Sequence, residues 1–305
     1  MRKTHRSRRN RRGLLAAALL VHAACARPWP DPPPVDDAAY AAAYDQWRDG
    51  QRETAVEAVE ILGVWSLAEG ETAFGSDRSL PVTLPASAPA RAGLFRRQGG
   101  NVTIVPQDGS RLRMADGPAV EQPRPLDGVL ALDTLRFIVE GLGRESSTRH
   151  FLTVWDEEHP AALRVLGVET FPVDSRWRLA ARFDALDRPT PVSVPDVRGG
   201  TIDVTAVGQL VLRIAGREHR LTALNPSEQE PFWVMFKDAT NGSSTYGGYR
   251  VLWVPRVRDG DWTVVDFNMA GNPPCAYSPH TLCPLPPKEN TLAVAVEAGE
   301  KRFAQ

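Results

Sequence analysis

The chain is poor in the residues that usually carry enzyme chemistry. Its 305 residues include only three cysteines and six histidines. His150, His159 and His219 are dispersed, so the sequence offers no set of metal ligands with familiar spacing. It also lacks a Gly-x-Ser-x-Gly elbow, a His-Glu-x-x-His pair and a phosphate-binding glycine loop. We therefore expect no metal and no cofactor, and the common hydrolase, zinc-peptidase and nucleotide-binding classes are unsupported.

Acidic residues are absent from the first 24 positions, which contain seven Lys or Arg residues. An apolar run follows at 13–21, about half the length of the roughly 20 residues that a membrane-spanning helix needs. Prolines from position 28 onward stop any helix soon afterwards. A basic start followed by a short apolar stretch is typical of an export signal. The sequence thus predicts a signal peptide over residues 1–24.

The residues at the expected cleavage site fit two kinds of processing. His22-Ala23-Ala24-Cys25 resembles a bacterial lipobox, although His22 stands where leucine is usual. Ala24-Cys25-Ala26 also fits the small-x-small pattern of ordinary signal cleavage. Arg11-Arg12 before the apolar run resembles a twin-arginine export signal, an alternative to the general secretory route. We expect lipidation of Cys25 and attachment to the bacterial cell envelope, with a secreted or periplasmic soluble protein as the alternative.

The charge balance argues against a nucleic-acid partner. The whole chain has a formal net charge of −1, and removal of the seven leader cations changes it to −8. Binding to phosphates requires clustered Lys and Arg that release counterions. We therefore expect no nucleic-acid binding from the exported protein.

The remaining chain divides into a Pro-rich linker, 25–35, and one β-rich domain, 36–305. Asp36 and Asp37 can cap a helix over Ala38–Arg48, and further helical turns can follow from Glu53 to Ile61. Tyr40, Tyr44 and Trp47 have spacings of four and three, which favour docking of this helix on a core.

Short apolar runs separated by turn residues follow from Leu62 onward. Candidate strands are 102–105, 135–139, 151–155, 176–183, 202–207 and 209–214. Turn residues at such regular intervals predict a mostly β fold, namely an antiparallel sandwich or barrel-like sheet with a short N-terminal helical segment. Phe232–Phe236 is apolar on both faces and so predicts a central strand.

Residues 249–254 and 262–268 flank Asp259-Gly260-Asp261, a strong hairpin signal. A three-residue turn would place Arg250 on the same face as Asp266 and Asn268, whereas a two-residue turn would place it on the opposite face. We predict the three-residue turn, because Asp266 on an apolar strand needs a nearby cation.

Cys275 and Cys283 lie in a segment, 272–287, whose prolines exclude a central strand. An oxidising compartment makes a disulfide between them the favoured prediction. Two free thiols, or a metal site with His280 between the cysteines, are the alternatives.

Polar residues interrupt the most apolar part of the chain, and they form the candidate ligand-binding set: Asp238, Thr240, Tyr246, Arg250, Asp266, Asn268 and Asn272. One hypothesis is that they satisfy each other and fix the fold. The other is that they converge in a cleft and hold a small polar ligand. An enzyme version would use Asp266 or Asp238 with Tyr246 as acid and base groups, in a metal-independent hydrolase or transferase.

Several segments together resemble a bacterial family catalogued as domain of unknown function 1684. They are Phe74-Gly75-Ser76-Asp77, Phe171-Pro172-Val173-Asp174, Asp238-Ala239-Thr240, Thr245 to Arg250, Val265 to Asn268, Asn272 to Ser278 and Cys283 to Asn290. The resemblance extends over nearly all of the chain after the linker. It implies a mostly β protein, often exported or lipidated, with no established substrate. We therefore expect an envelope protein that binds a small polar ligand, a peptide or a glycan, or that serves as a scaffold.

Overall fold

The computed structural model describes residues 29–142, 148–165, 169–225, 227 and 229–303. The predicted signal peptide, Cys25 and the first part of the linker lie outside these residues. Within the described part, no helix is both long and apolar enough to cross a membrane.

One long helix, α1 (Asp37–Glu60), precedes the sheets. Asp36 caps it as predicted, since its carboxylate accepts a hydrogen bond of 2.9 Å from Ala39 N. The two expected helical pieces are one continuous helix that runs through Gly50. Its buried residues are Ala55 and Ala58, whereas Trp47 is only half-buried. The expectation that the aromatic residues dock on a core is therefore wrong, because small residues of the second half make the buried contact.

The rest of the described chain is dominated by strands. Strands β1 to β10 are Ile61–Ser66, Gly70–Gly75, Val82–Thr83, Gly93–Gln98, Asn101–Pro106, Leu112–Met114, Arg124–Pro125, Leu130–Leu132, Leu135–Leu142 and Arg149–Asp156. Strands β11 to β16 are Arg178–Pro195, Thr201–Ile214, Arg217–Leu224, Phe232–Phe236, Arg250–Val254 and Trp262–Asp266. Short 3₁₀ helices occur at Ala162–Arg164, Ser175–Trp177, Phe267–Met269 and Pro274–Ala276. The predicted mostly β fold class is confirmed.

The strands form three sheets, with the orders β1-β10-β9-β8-β6, β3-β2-β4-β5-β7 and β15-β14-β13-β12-β11-β16. Neighbours are antiparallel, apart from the short parallel pair β2 and β3. The first two sheets share one core, in which the rings of Phe74, Phe95 and Phe137 pack together. This part of the fold is a sandwich built by alternating apolar residues.

The six-stranded sheet curves into a half-barrel. Its interior is filled by apolar side chains from all six strands, and the C-terminal residues Leu292, Val296 and Ala298 pack against them. β14 lies between β13 and β15, as predicted for a central strand. The outer face of this sheet carries Met235, Tyr249 and the half-buried Trp233.

The predicted hairpin of β15 and β16 is wrong. β15 pairs with β14, β16 pairs with β11, and the two strands lie at opposite ends of the sheet order. Arg178, and not Val254, is the partner of Asp266. The turn itself is bonded to β11, because Gly260 N donates to Phe183 O at 2.8 Å. Turn chemistry is local, whereas the partner of each strand is decided by the whole sheet.

The free edge of β15 is covered by the segment that follows β16. Val251 and Gly271 exchange two backbone hydrogen bonds, of 2.8 and 2.9 Å. Residues 272–287 then form a strand-free loop, as the prolines predict. The sulfur atoms of Cys275 and Cys283 are 1.95 Å apart and their Cα atoms 6.4 Å, so the predicted pairing is confirmed.

Candidate functional site

Arg250 is fully buried inside the half-barrel and pairs with Asp238. Its Nη2 donates to Asp238 Oδ2 at 2.6 Å and to Val296 O at 2.9 Å, and its Nη1 donates to Ala298 O. Burial lowers the pKa of Arg250, and the charge of Asp238 opposes that shift. The guanidinium thus ties β15 to the C-terminal segment.

The other oxygen of Asp238 completes this network. Asp238 Oδ1 accepts hydrogen bonds from Thr240 N at 2.7 Å and from Thr240 Oγ1 at 2.6 Å. The Thr240 hydroxyl in turn lies 2.8 Å from that of Thr245. A buried ion pair is tolerated when its remaining hydrogen-bonding capacity is used in this way. The contacts among Asp238, Thr240 and Arg250 therefore fix the loop after β14.

Asp266 and Asn268 belong to a different network outside the half-barrel. Asp266 Oδ2 accepts from the Tyr40 hydroxyl at 2.9 Å, and its Oδ1 accepts from Asn268 N at 3.0 Å. Burial, followed by the Asp266 charge, raises the pKa of Tyr40. Asn268 also exchanges two hydrogen bonds of 3.0 Å with the backbone of Asp174. This group attaches the start of α1 to the end of β16.

The predicted proximity of Arg250 to Asp266 is wrong. Arg250 and Leu252 both point into the half-barrel. Val265 also points inward, so its neighbour Asp266 points outward, because successive side chains of a strand alternate. The two charged side chains thus face opposite sides of the curved sheet. The hydrogen-bond partner of Asp266 is a hydroxyl group of the helix and not a cation on a neighbouring strand.

Asn272 joins a third network around a buried acid. Its backbone N–H donates to Glu300 Oε2 at 2.6 Å, and the Tyr277 hydroxyl donates to the same oxygen at 2.8 Å. Its side-chain Nδ2 donates to Lys301 O at 2.9 Å. Burial raises the pKa of Glu300 to about 7, opposed by these hydrogen bonds and by Arg250. Glu300 was not singled out by the sequence, because it lies among ordinary C-terminal residues.

Tyr246 lies apart from these groups. It lines an open hollow of about 830 Å³ together with Gly247, Cys275, Arg302 and others. Burial raises the pKa of its hydroxyl. Neither Asp238 nor Asp266 lines this hollow. The carboxylates and Tyr246 therefore share no cleft there, and the geometry gives the acid/base hypothesis no support.

A second pocket, of about 440 Å³, lies between α1 and the outer face of the half-barrel. Trp47, Gln51 and Thr54 contribute one wall. Their spacings of four and three place them on one face of the helix. We call this cavity the tryptophan pocket, and it is bounded by these residues, by β14 and β15, and by the loop 272–284.

The sheet wall of the tryptophan pocket follows from strand alternation. Tyr249, Val251 and Trp253 have a spacing of two and therefore point to the same side. Trp233 is the direct cross-strand partner of Trp253, and their nearly parallel rings have centres 6.3 Å apart. Trp253 is 51% exposed, so this aromatic wall is open to solvent at one end.

The loop wall is supplied by the proline-rich segment that the disulfide closes. Its lining residues are Asn272, Pro273, Pro274, Leu282, Cys283 and Pro284. Among the described residues around the tryptophan pocket, none carries a charge. The walls are thus mostly apolar, with a few polar groups, which is the usual composition of a small-molecule site.

Two buried side-chain oxygens at this pocket have no hydrogen-bond partner in the described structure, Asn272 Oδ1 and Gln51 Oε1. The bond from Asn272 Nδ2 to Lys301 O fixes the orientation of that amide, so its oxygen is turned away from Lys301. Gln51 packs against Gly271, where a Cβ atom would lie 2.1 Å from Gln51 Oε1. A buried acceptor without a donor costs about 1–3 kcal/mol. Both oxygens have almost no accessible surface, so this cost belongs to the packing around the pocket.

Residues 165–301 match the model of a family described as protein of unknown function (DUF1684). The predicted resemblance to this family is confirmed over these residues. The match begins after the first two sheets, so the DUF1684 region is narrower than the resemblance implied, and Phe74-Gly75-Ser76-Asp77 lies outside it. The matched region contains the half-barrel, the disulfide and the loop wall of the tryptophan pocket. The helix wall comes from residues before the DUF1684 match.

Solved structures also match the chain. One is a solution NMR structure of an uncharacterized protein from Haloarcula marismortui, with 31% sequence identity. The match covers 47% of this chain and 80% of that one, with a TM-score of 0.40. No curated protein matches.

The sequence had identified only Asn272 among the polar groups of this pocket. The missed lining residues include Trp47, Gln51, Trp233, Tyr249 and Trp253. Glu300, in the network next to Asn272, was also missed. A detectable signal existed for two of them, since Trp233 and Trp253 each stand in an apolar strand as the residue that points outward. No local pattern indicates that α1 covers this face.

Proposed function

We propose that this protein is an exported, lipid-anchored envelope protein whose tryptophan pocket binds a small uncharged ligand. The observation that carries the binding proposal is the pocket of about 440 Å³, whose walls contain Trp47, Trp233 and Trp253 and no charged side chain among the described residues. A mostly apolar cavity of this kind is typical of a small-molecule site.

The walls restrict the chemistry of the ligand. No Lys, Arg, Asp or Glu is among the described lining residues, so a charged ligand would lose its hydration without gaining an ion pair. The volume of about 440 Å³ falls within the usual range for small-molecule sites, roughly 300–1,000 Å³. An uncharged compound with an apolar face fits these walls best.

The anchoring part of the proposal is supported by the sequence. A basic and apolar leader precedes Cys25, and the prolines at 28, 30 and 32–34 provide a stiff spacer after it. Such a spacer would hold a binding domain away from the membrane surface.

The test of binding uses the full-length protein, purified in detergent, and ligand-observed NMR. The probes are indole, benzamide, cyclohexanol and neutral disaccharides. We expect at least one probe to bind, with affinity lowered about tenfold or more by Gln51→Met or Trp253→Ala, because each removes a contact worth about 1.4 kcal/mol or more. Gln51→Met keeps the length of the side chain and removes its oxygen.

Two matched controls accompany these variants. Gln46→Met lies on the exposed side of the same helix, and Trp262→Ala removes an exposed tryptophan on β16, outside the pocket. Both should leave affinity unchanged. Absence of binding by every probe, or binding that is indifferent to the pocket variants, would contradict the proposal.

A further inference from the structure

The open hollow of about 830 Å³ beside the disulfide is a second site, separate from the tryptophan pocket. We propose that it binds a small organic carboxylate, with the charge paired to Arg302 and the oxygens accepting hydrogen bonds from groups that include the Tyr246 hydroxyl. Neither of these residues lines the tryptophan pocket, so the proposal does not depend on the binding function proposed above. We call this cavity the Arg302 hollow.

Three segments of the chain form the Arg302 hollow, namely residues 242–248 after β14, residues 275–279 of the disulfide loop, and residues 302–303. The last segment is held on both sides. Arg302 N donates to Ser244 O at 2.9 Å, and the ring of Phe303 packs edge-on against that of Tyr277, with centres 5.1 Å apart. The backbone of Arg302 therefore has a fixed position at the hollow.

Arg302 brings a positive charge to the hollow without a carboxylate to balance it. Its guanidinium is exposed and has no hydrogen bond or ion pair with another side chain in the described part of the protein. No Asp or Glu is among the described residues that line the hollow. A ligand that supplies a negative charge would therefore complete a pair that the chain itself leaves open.

The other unpaired polar groups of the hollow can also donate hydrogen bonds. The Tyr246 hydroxyl and the backbone N–H groups of Gly247 and Gly248 have no hydrogen-bond partner among the described residues. The Tyr246 ring packs directly on Gly248, where a Cβ atom would lie 2.4 Å from a ring carbon, so the position of the ring depends on this glycine. Since an ionised carboxylate only accepts hydrogen bonds, a cation beside several donors favours such a group.

The amount of charge in the hollow favours a carboxylate over a phosphate. One guanidinium balances one negative charge, and its planar fork matches the two oxygens of a carboxylate. A phosphate monoester carries a charge of about −1.5 to −2 near neutral pH, so part of it would remain unbalanced. Ala276, Pro279 and Phe303 add apolar surface to the same hollow, which suits the hydrocarbon part of an organic acid.

The test is calorimetry on the full-length protein in detergent, with benzoate and butyrate as probes and with benzamide and phenyl phosphate as comparators. We expect saturable binding of at least one carboxylate, weakened about tenfold or more by Arg302→Gln, which removes the charge. Arg302→Lys should recover part of the affinity, because it keeps the charge and loses the fork. Tyr246→Phe, which removes only the hydroxyl, should weaken binding severalfold.

Matched controls are Arg188→Gln, at an exposed arginine outside the hollow, and Tyr44→Phe, at a half-buried tyrosine of α1. Both should leave carboxylate affinity unchanged, as should Trp253→Ala in the tryptophan pocket. Thermal melts identify any variant that fails to fold, and Tyr246→Phe decides if Arg302→Gln is among them.

The opposite results would overturn the carboxylate proposal. They are absence of binding by both carboxylates, affinity that is equal in wild type and Arg302→Gln, and tighter binding of phenyl phosphate or benzamide than of benzoate in the hollow. Carboxylate affinity that falls with Trp253→Ala and not with Arg302→Gln would place the probe in the tryptophan pocket. That outcome would overturn this proposal and leave a ligand in the other site.

Discussion

Glu300 is a buried carboxyl group whose surroundings favour its protonated form. It lies between Asn272 and Tyr277, near the charge of Arg250, and it is almost fully buried. The hydrogen bonds and the Arg250 charge favour the carboxylate, but burial is the larger effect and raises the pKa of Glu300 to about 7. The ordinary value of this group is 4.5. Its ionisation is therefore coupled to folding near neutral pH.

We predict that Glu300 makes the protein less stable as the pH rises. Between pH 4.5 and about 7 the folded state retains a proton that the unfolded chain has lost. The stabilisation is complete below pH 4.5 and disappears as the pH passes about 7. One pKa unit corresponds to about 1.4 kcal/mol, so the loss is on the order of a few kcal/mol.

The measurement is the free energy of unfolding in urea from pH 4 to pH 8, for wild type and Glu300→Gln. The amide can still accept hydrogen bonds from Asn272 and Tyr277, but it does not titrate. The difference between the two proteins should change across this interval in favour of the variant. Parallel pH profiles would show that Glu300 does not carry the effect.

Arg250 illustrates how a charged residue in an apolar strand can be misassigned. The sequence places it near two acidic residues, Asp238 and Asp266, and the predicted hairpin favoured Asp266. The structure pairs it with Asp238, twelve residues earlier, at 2.6 Å. Removing one partner of a buried ion pair leaves the other charge without a partner. A buried charged residue can therefore serve the fold as well as a ligand.

At the scale of elements, the loop 272–287 is the segment that links stability to the tryptophan pocket. It contains no strand of its own, and its prolines leave few amide donors. The pair Cys275 and Cys283 closes it, and Cys283 itself lines the pocket. Loss of the bond would therefore loosen one wall of the proposed site.

We predict that the double variant Cys275→Ser/Cys283→Ser is less stable than wild type by about 2 to 3 kcal/mol, because its unfolded chain regains the freedom of a short loop. Equilibrium denaturation in urea measures the difference. A reducing agent should lower the stability of wild type and leave the double variant unchanged. Equal sensitivity of both proteins to the reducing agent would contradict the prediction.

Helix α1 determines whether the tryptophan pocket exists at all. The Tyr40 hydroxyl bonds to Asp266, Ala55 and Ala58 are buried, and Gln51 packs against Gly271. The absence of a side chain at Gly271 allows this close approach. The helix thus converts an exposed aromatic sheet face into a cavity.

At the scale of the whole molecule, the proposed site faces away from the two cores. The sandwich core and the interior of the half-barrel are filled with apolar side chains. The outer face of β14 and β15 keeps large aromatic residues partly exposed under α1. A ligand could therefore bind there without opening either core.

Membrane attachment is a prediction about the entire protein in its cell. We expect wild type to partition into the detergent phase and Cys25→Ser to remain in the aqueous phase, because two or more acyl chains anchor a protein stably at about 0.8 kcal/mol for each buried methylene. Phase partitioning of cell extracts measures this. Cys275→Ser is the matched control and should stay with detergent. If wild type itself stays in the aqueous phase, ordinary cleavage at the small-x-small site is preferred.

The sequence by itself determined the features that depend on neighbouring residues. Period-two apolar runs gave the strands, Asp36 gave the helix cap, and the prolines gave the loop around the two cysteines. The family motifs identified the DUF1684 region. These features arise from local propensity, side-chain alternation and missing amide donors, which can be read from a few adjacent positions.

Only the tertiary structure decided which elements meet. β16 pairs with β11 although the turn before it suggests β15, since a strand takes the partner that the assembled sheet provides. For the same reason the seven predicted polar residues divide among separate networks. The tryptophan pocket joins α1 to strands some two hundred positions later, and its unpaired oxygens result from that long-range packing. Burial and hydrogen-bond satisfaction depend on the assembled fold, so no local pattern could have revealed them.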